Sequence, residues 1–121
     1  MQYCVHQIGS ALAHCHHLGV VHRDIKLDKV VLRGTCVMDG LLLIDFGLAE
    51  DIAFTSSDPH AGTTAYRAPV PSNGAVSCPL KADVWSFGIL MFALCHGCMP
   101  MNEASDLDRR FVTIRAGQRD G

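Results

Sequence analysis

Residues 84–95, VWSFGILMFALC, carry no charged side chain and place large apolar groups at every angle around a helical turn. A helix of this kind has no face suited to water, so other elements must wrap it. The spacing predicts a helix over about residues 83–95, central and buried. The apolar stretch is about half of the roughly 20 residues that a membrane span needs, so no span and no membrane partner are expected. The rest of the 121-residue chain is apolar too, with 49% hydrophobic and 18% charged residues. The mean hydropathy is +0.20. A small autonomous domain needs more charge than this to cover its surface. The chain therefore reads as the inner part of a larger domain.

Shorter signals surround that helix. In CVHQIGSALAHCHHLG, Val5, Ile8, Leu12 and Cys15 recur at spacings of three and four, which sets them on one helical face, and Gly19 is a C-terminal stop. The histidines between His14 and His17 fall in its last turn and read as a solvated helix end, where imidazoles suit the negative end of the dipole. GVVH is a short extended run. KVVLRG and LLLIDF bracket the turn signal Asp39-Gly40 and predict a small antiparallel pair. Residues 50–79 are rich in Ser, Thr, Pro and Gly and read as one long loop. EASDLDRRFVTIRAG predicts a further amphipathic helix. The fold class expected is mainly α with a small β-hairpin.

A formal net charge of −2 offers no electrostatic footprint for nucleic acid, and none is expected as a partner. The N-terminal residues lack the basic flank and apolar run of a signal peptide, so the six cysteines read as reduced thiols in a cytoplasmic protein. Cys95 and Cys98 have the spacing of a zinc half-site, but no second pair lies at a suitable distance, and no metal is expected there.

Four motifs occur in order: HRDIK at residues 22–26, DFG at 45–47, GTTAYRAP at 62–69 and DVWSFG at 83–88. In this order and at these spacings they resemble the large lobe, or C-lobe, of a eukaryotic protein kinase of the Ser/Thr type. The resemblance covers nearly the whole chain. It implies an incomplete kinase C-lobe over residues 1–121, with a catalytic loop at 22–29, an activation segment at 45–70 and a central helix at about 83–95. No glycine-rich loop precedes the catalytic loop, so no small lobe is expected in this sequence. The implied activity is ATP-dependent, Mg-dependent phosphoryl transfer to serine or threonine of protein substrates.

The resemblance also implies roles. Asp24 matches the catalytic aspartate that takes or orients the proton of the substrate hydroxyl. Lys26 matches the lysine that faces the γ-phosphate, and Thr63 the threonine that bonds the catalytic loop. Asp45 matches the Mg ligand, and Val31 a residue beneath the adenine ring. Asp83 matches the anchor of the catalytic loop, while His22 and Phe46 match packing residues under the site. Arg23 matches an arginine that pairs with a phosphate on the activation segment, and Ser57 is the candidate acceptor.

Two positions depart from the pattern. Lys29 stands where the family has an asparagine that ligates a second Mg. Its ammonium has three donors and no acceptor, so it repels a metal cation. Val70 stands where the family has a glutamate. The alternative to a phosphotransferase is an inactive kinase-like (pseudokinase) binding module or a truncated product. The isolated chain is expected to be inactive, and to self-associate or take a partner protein through the exposed part of its apolar helix.

Overall fold

The computed structural model describes residues 1–54, 58–73 and 77–119. Helix α1 (Gln2–His17) carries the predicted apolar face. Ile8 and Leu12 from that face, Ile25 from the following loop and Leu90 from helix α2 (Pro79–His96) form the first core cluster. Gly19 has φ 76°, a left-handed conformation suited to glycine, and turns the chain into strand β1 (Val20–Val21).

The predicted hairpin is present. Strand β2 (Val30–Leu32) pairs antiparallel with β3 (Leu41–Leu43) in the register Val30 with Leu43, Val31 with Leu42 and Leu32 with Leu41. The Asp39 carboxylate closes the connection by accepting the backbone N–H groups of Thr35 at 2.8 Å and Cys36 at 3.1 Å. Those amides hold its carboxyl below the ordinary aspartate range.

A second two-stranded sheet corrects the reading of residues 50–79 as uninterrupted loop. Strand β4 (Glu50–Asp51) pairs antiparallel with β1, Val20 opposite Asp51 and Val21 opposite Glu50. Two acidic residues carry no strand signal of their own. They are extended because Val21, fully buried, needs a partner for its backbone.

Helix α2 begins four residues before the predicted start, since Pro79 occupies a first-turn position that suits a residue without an N–H. It ends at Gly97 in a left-handed conformation. Helix α2 is only partly buried, which corrects the reading of a wholly buried helix and agrees with the expected exposed part: it buries Asp83, Ile89 and Leu90, while Val84 is 55% exposed and Phe92 is also exposed. Apolar periodicity reports what a helix offers. The number of elements packed on it decides what is covered. Here α1 covers the Leu90 side, and a second cluster of Ile89, Met101 and Phe111 covers another. Trp85 packs at the margin of that second cluster, its ring edge-on to Phe111 at 6.3 Å.

Phe111 comes from helix α3 (Arg109–Arg119), which starts later than the sequence pattern suggested. Residues 103–108 are spent on its N-terminus. The Asp108 carboxylate accepts the N–H groups of Arg110 at 2.9 Å and Asn102 at 2.7 Å. Ile114 of the same helix is exposed. Among the described residues, no helix is long and apolar enough to cross a membrane.

Candidate active site

The site is built on the loop between β1 and β2, and a buried side chain of α2 sets its shape. Asp83 is 2% exposed and accepts three N–H groups: the backbone N–H of His22 at 2.8 Å, that of Arg23 at 2.9 Å, and Nε2–H of His16 at 2.8 Å. Two successive amides aimed at one carboxylate force a sharp turn. Arg23 accordingly takes φ 70°, a left-handed conformation that a non-glycine residue adopts only when its surroundings over-determine it.

His22 is fully buried and fixes the next residue. Its Nδ1 accepts the Asp24 N–H at 3.2 Å, so its proton sits on Nε2, which donates to the Ile44 carbonyl at 3.0 Å. The ring also lies 4.8 Å from that of Phe46, which is itself 46% exposed. The HRDIK and DFG motifs are thereby joined through one imidazole.

Asp24, Lys26 and Thr63 converge. The Thr63 hydroxyl donates to Asp24 Oδ1 at 2.9 Å, and Lys26 Nζ donates to the Thr63 hydroxyl oxygen at 2.9 Å. Lys26 Nζ is also 3.9 Å from Asp24 Oδ2. Thr63 can reach because Gly62, at φ 89°, lets its chain press against the Arg23 carbonyl. Beside them a cleft opens, lined by Arg23, Asp24, Gly62, Thr63, Tyr66 and Ser86.

Lys29 ends the short 3-10 turn Leu27–Lys29 and points back at the same carboxylates. Its ammonium donates to Asp45 Oδ2 and lies 3.7 Å from Asp24 Oδ2. Asp45, at φ 61°, accepts the Gly47 N–H on its other oxygen at 3.1 Å. The hydrogen bond from Lys29, reinforced by the Gly47 amide, holds the Asp45 carboxyl below its ordinary range. The same bond with Asp45 raises the Lys29 ammonium above its ordinary value. The lysine that breaks the motif is thus part of the cluster.

The remaining candidates lie around this centre. Val31 is half-buried in the hairpin, paired with Leu42. The Arg23 guanidinium bonds the Glu50 carboxylate at 2.7 Å and the Asp58 carbonyl at 2.9 Å. Ser57 lies outside the described residues. Val70 is 49% exposed. Cys95 and Cys98 are exposed free thiols, and among the described residues no group of three or more His, Cys, Asp or Glu could hold a metal.

Sequence reasoning missed three supports. His16, read as part of a solvated helix end, buttresses Asp83. Its position four residues after Leu12 and eight after Ile8, on the buried face, was the available signal. Glu50 lies on Arg23 through a strand that has no local signature. Ser86 donates to the Tyr66 carbonyl at 2.6 Å, tying α2 to the segment after Thr63.

The family profile described as protein kinase domain matches residues 1–119. CBL-interacting protein kinase 22 of Oryza sativa subsp. japonica is 40% identical over 112 residues, which is 82% of this chain and 23% of that protein. Calcium/calmodulin-dependent protein kinase type II of Caenorhabditis briggsae is 33% identical over 120 residues, 98% of this chain and 22% of the relative. Testis-specific serine/threonine-protein kinase 5 of Mus musculus is 35% identical over 99 residues, 80% of this chain and 26% of the relative. The chain thus spans about a quarter of the length of these curated relatives. With the profile matched across nearly every residue and relatives of this kind on either side of the plant–animal divide, the chain belongs to the eukaryotic protein kinase family, serine/threonine type.

Proposed function

We propose that this chain is the C-lobe segment of a serine/threonine protein kinase, with the catalytic loop at residues 22–29, the activation segment at 45–70 and the central helix in α2. In this reading Asp24 takes or orients the proton of a substrate serine or threonine hydroxyl. Thr63 holds Asp24 in place, and Lys26 faces the transferred phosphoryl group. The observation that carries the reading is the hydrogen-bonded chain Lys26–Thr63–Asp24, both links at 2.9 Å. It fixes a carboxylate and an ammonium side by side at the edge of an open cleft, an arrangement suited to a transfer reaction that needs positioning and charge more than covalent chemistry. Protein substrates are the family's general targets. Arg23 is the regulatory residue, and a phosphate on Ser57 would compete with Glu50 for its guanidinium.

Kinases generally use ATP with magnesium. The residues here do not fit a magnesium pair. Asp45 is the intact carboxylate ligand, the position of the second ligand is Lys29, and its ammonium already occupies Asp45. That observation favours a second reading, a catalytically silent kinase-like binding module in which the cleft still takes a peptide and the exposed face of α2 serves self-association.

The deciding experiment measures transfer of the γ-phosphate to an array of serine and threonine peptides, alongside peptide capture by the same chain. Transfer by the wild type that Asp24→Asn abolishes supports the kinase reading. Absence of transfer, with peptide capture that weakens in Thr63→Val, supports the binding module. Neither transfer nor capture refutes both.

A further inference from the structure

We infer that Lys29 acts as a tethered cation: its ammonium takes the electrostatic place of a divalent metal between Asp45 and Asp24, and the site excludes Mg²⁺ and Mn²⁺. The inference rests on the reading of Asp24 and Asp45 as the polar centre of this site.

Two carboxylates and two ammoniums meet here. Lys29 Nζ bonds Asp45 and stands 3.7 Å from Asp24, while Lys26 Nζ stands 3.9 Å from Asp24. The formal charges of these four groups cancel with no metal present. Carboxylate pairs collect divalent ions because their own repulsion is otherwise unrelieved, and here it is already relieved.

The oxygens are also engaged. Asp45 Oδ1 accepts the Gly47 N–H and Oδ2 accepts Lys29. Asp24 Oδ1 accepts the Thr63 hydroxyl, and Oδ2 faces both ammoniums. A magnesium ion demands near-octahedral oxygen ligation. Three of these oxygens already accept a hydrogen bond, and at the fourth, Asp24 Oδ2, an incoming ion meets two ammoniums. It must also tolerate the Lys29 ammonium, whose backbone is held beside the site by the hydrogen bonds Lys29 N–H to the Lys26 carbonyl and Ile44 N–H to the Lys29 carbonyl. The Lys29 side chain is 17% exposed and its ammonium bonds the Asp45 carboxylate.

The test uses the full chain and Mn²⁺ alone, with free ion followed by electron paramagnetic resonance. Wild type should leave Mn²⁺ free over a range in which Lys29→Asn binds it at least tenfold more tightly. Lys29→Met, which removes the ammonium without adding an oxygen, should recover part of that gain. Adding Asp45→Asn to either variant should abolish it. Wild-type binding that is as tight as in Lys29→Asn, and that Asp45→Asn removes, overturns the inference. So does a lack of gain in both Lys29 variants, since the lysine would then not be what keeps the ion out. Should Lys29→Asn fail to fold, the Lys29→Met comparison and the wild-type titration decide alone. The readout is ion binding, so its failure is distinct from a failure of phosphoryl transfer or peptide capture.

Discussion

Asp83 and His22, 61 residues apart in the chain, meet through one hydrogen bond: Asp83 Oδ2 accepts the His22 backbone N–H at 2.8 Å. With the Arg23 N–H on Oδ1 and the His16 imidazole on Oδ2, this carboxylate ties α1, the loop between β1 and β2, and α2 together.

Replacing Asp83 by alanine leaves two buried or half-buried backbone amides without a partner. Each such loss costs about 1–3 kcal/mol. A destabilisation of roughly 3 kcal/mol is expected, a large share of a domain's total stability. Urea unfolding of Asp83→Ala against wild type measures it. Asp83→Asn should fall between them, because its amide keeps one acceptor and turns a donor toward an N–H. A midpoint unchanged in Asp83→Ala would mean that the loop does not depend on this anchor.

Gly62→Ala tests the close approach that brings Thr63 to Asp24. A Cβ at residue 62 would lie 2.6 Å from the Arg23 carbonyl oxygen, a backbone atom that cannot swing aside, and the residue has φ 89°. The left-handed conformation alone costs an L-residue about 1–2 kcal/mol, before any clash. The substitution should lower stability by roughly 2 kcal/mol or more. It should also shift the Thr63 amide resonance in an ¹⁵N–¹H spectrum. Retention of both the melting midpoint and that resonance would contradict the packing described.

Acid sensitivity should arise in part at the start of α3. The Asp108 carboxyl is held below its ordinary range, first by the Asn102 N–H and then by other backbone amides, including that of Arg110. A carboxylate with a depressed folded pKa stabilises the fold above the ordinary aspartate value of about 4. That contribution fades as pH falls toward the folded pKa. Wild type should therefore lose more thermal stability between about pH 6 and pH 3 than Asp108→Asn does, an asparagine being a good cap that does not titrate. Parallel acid dependence in the two proteins would remove Asp108 as a source.

The exposed stripe of α2 should drive association. Val84, Gly88, Phe92 and Cys95 follow one another at spacings of four, four and three, and all are exposed. Burying a valine or phenylalanine side chain contributes roughly 1.5–3 kcal/mol, so covering this stripe is favourable. Sedimentation velocity should show concentration-dependent species in the wild type, with uptake of a hydrophobic dye. Val84→Glu with Phe92→Glu should reduce both. A monodisperse wild type that takes up no dye would exclude the stripe as an association surface.

Much of this protein was legible one residue at a time. The hairpin β2–β3 follows from β-branched and leucine runs around Asp39-Gly40, and α1 from its three-and-four spacing, because both signals are local. The motif order placed Asp24, Lys26, Thr63 and Asp45 in one site without coordinates. Lys29 was visible as a departure, since its chemistry alone rules out metal ligation. Three other outcomes belong to tertiary structure. Lys29 bonds Asp45 because a 3-10 turn aims it there. His16 serves Asp83 because α1 crosses α2 at that height. Glu50 and Asp51 form a strand because Val20 and Val21 lie beside them. The physical reason is common to all three. Local propensity and periodicity report which backbone and which face a segment prefers, whereas hydrogen-bond and charge partners are chosen by whatever the packed chain brings within about 3 Å, and residues 61 apart carry no local trace of that choice.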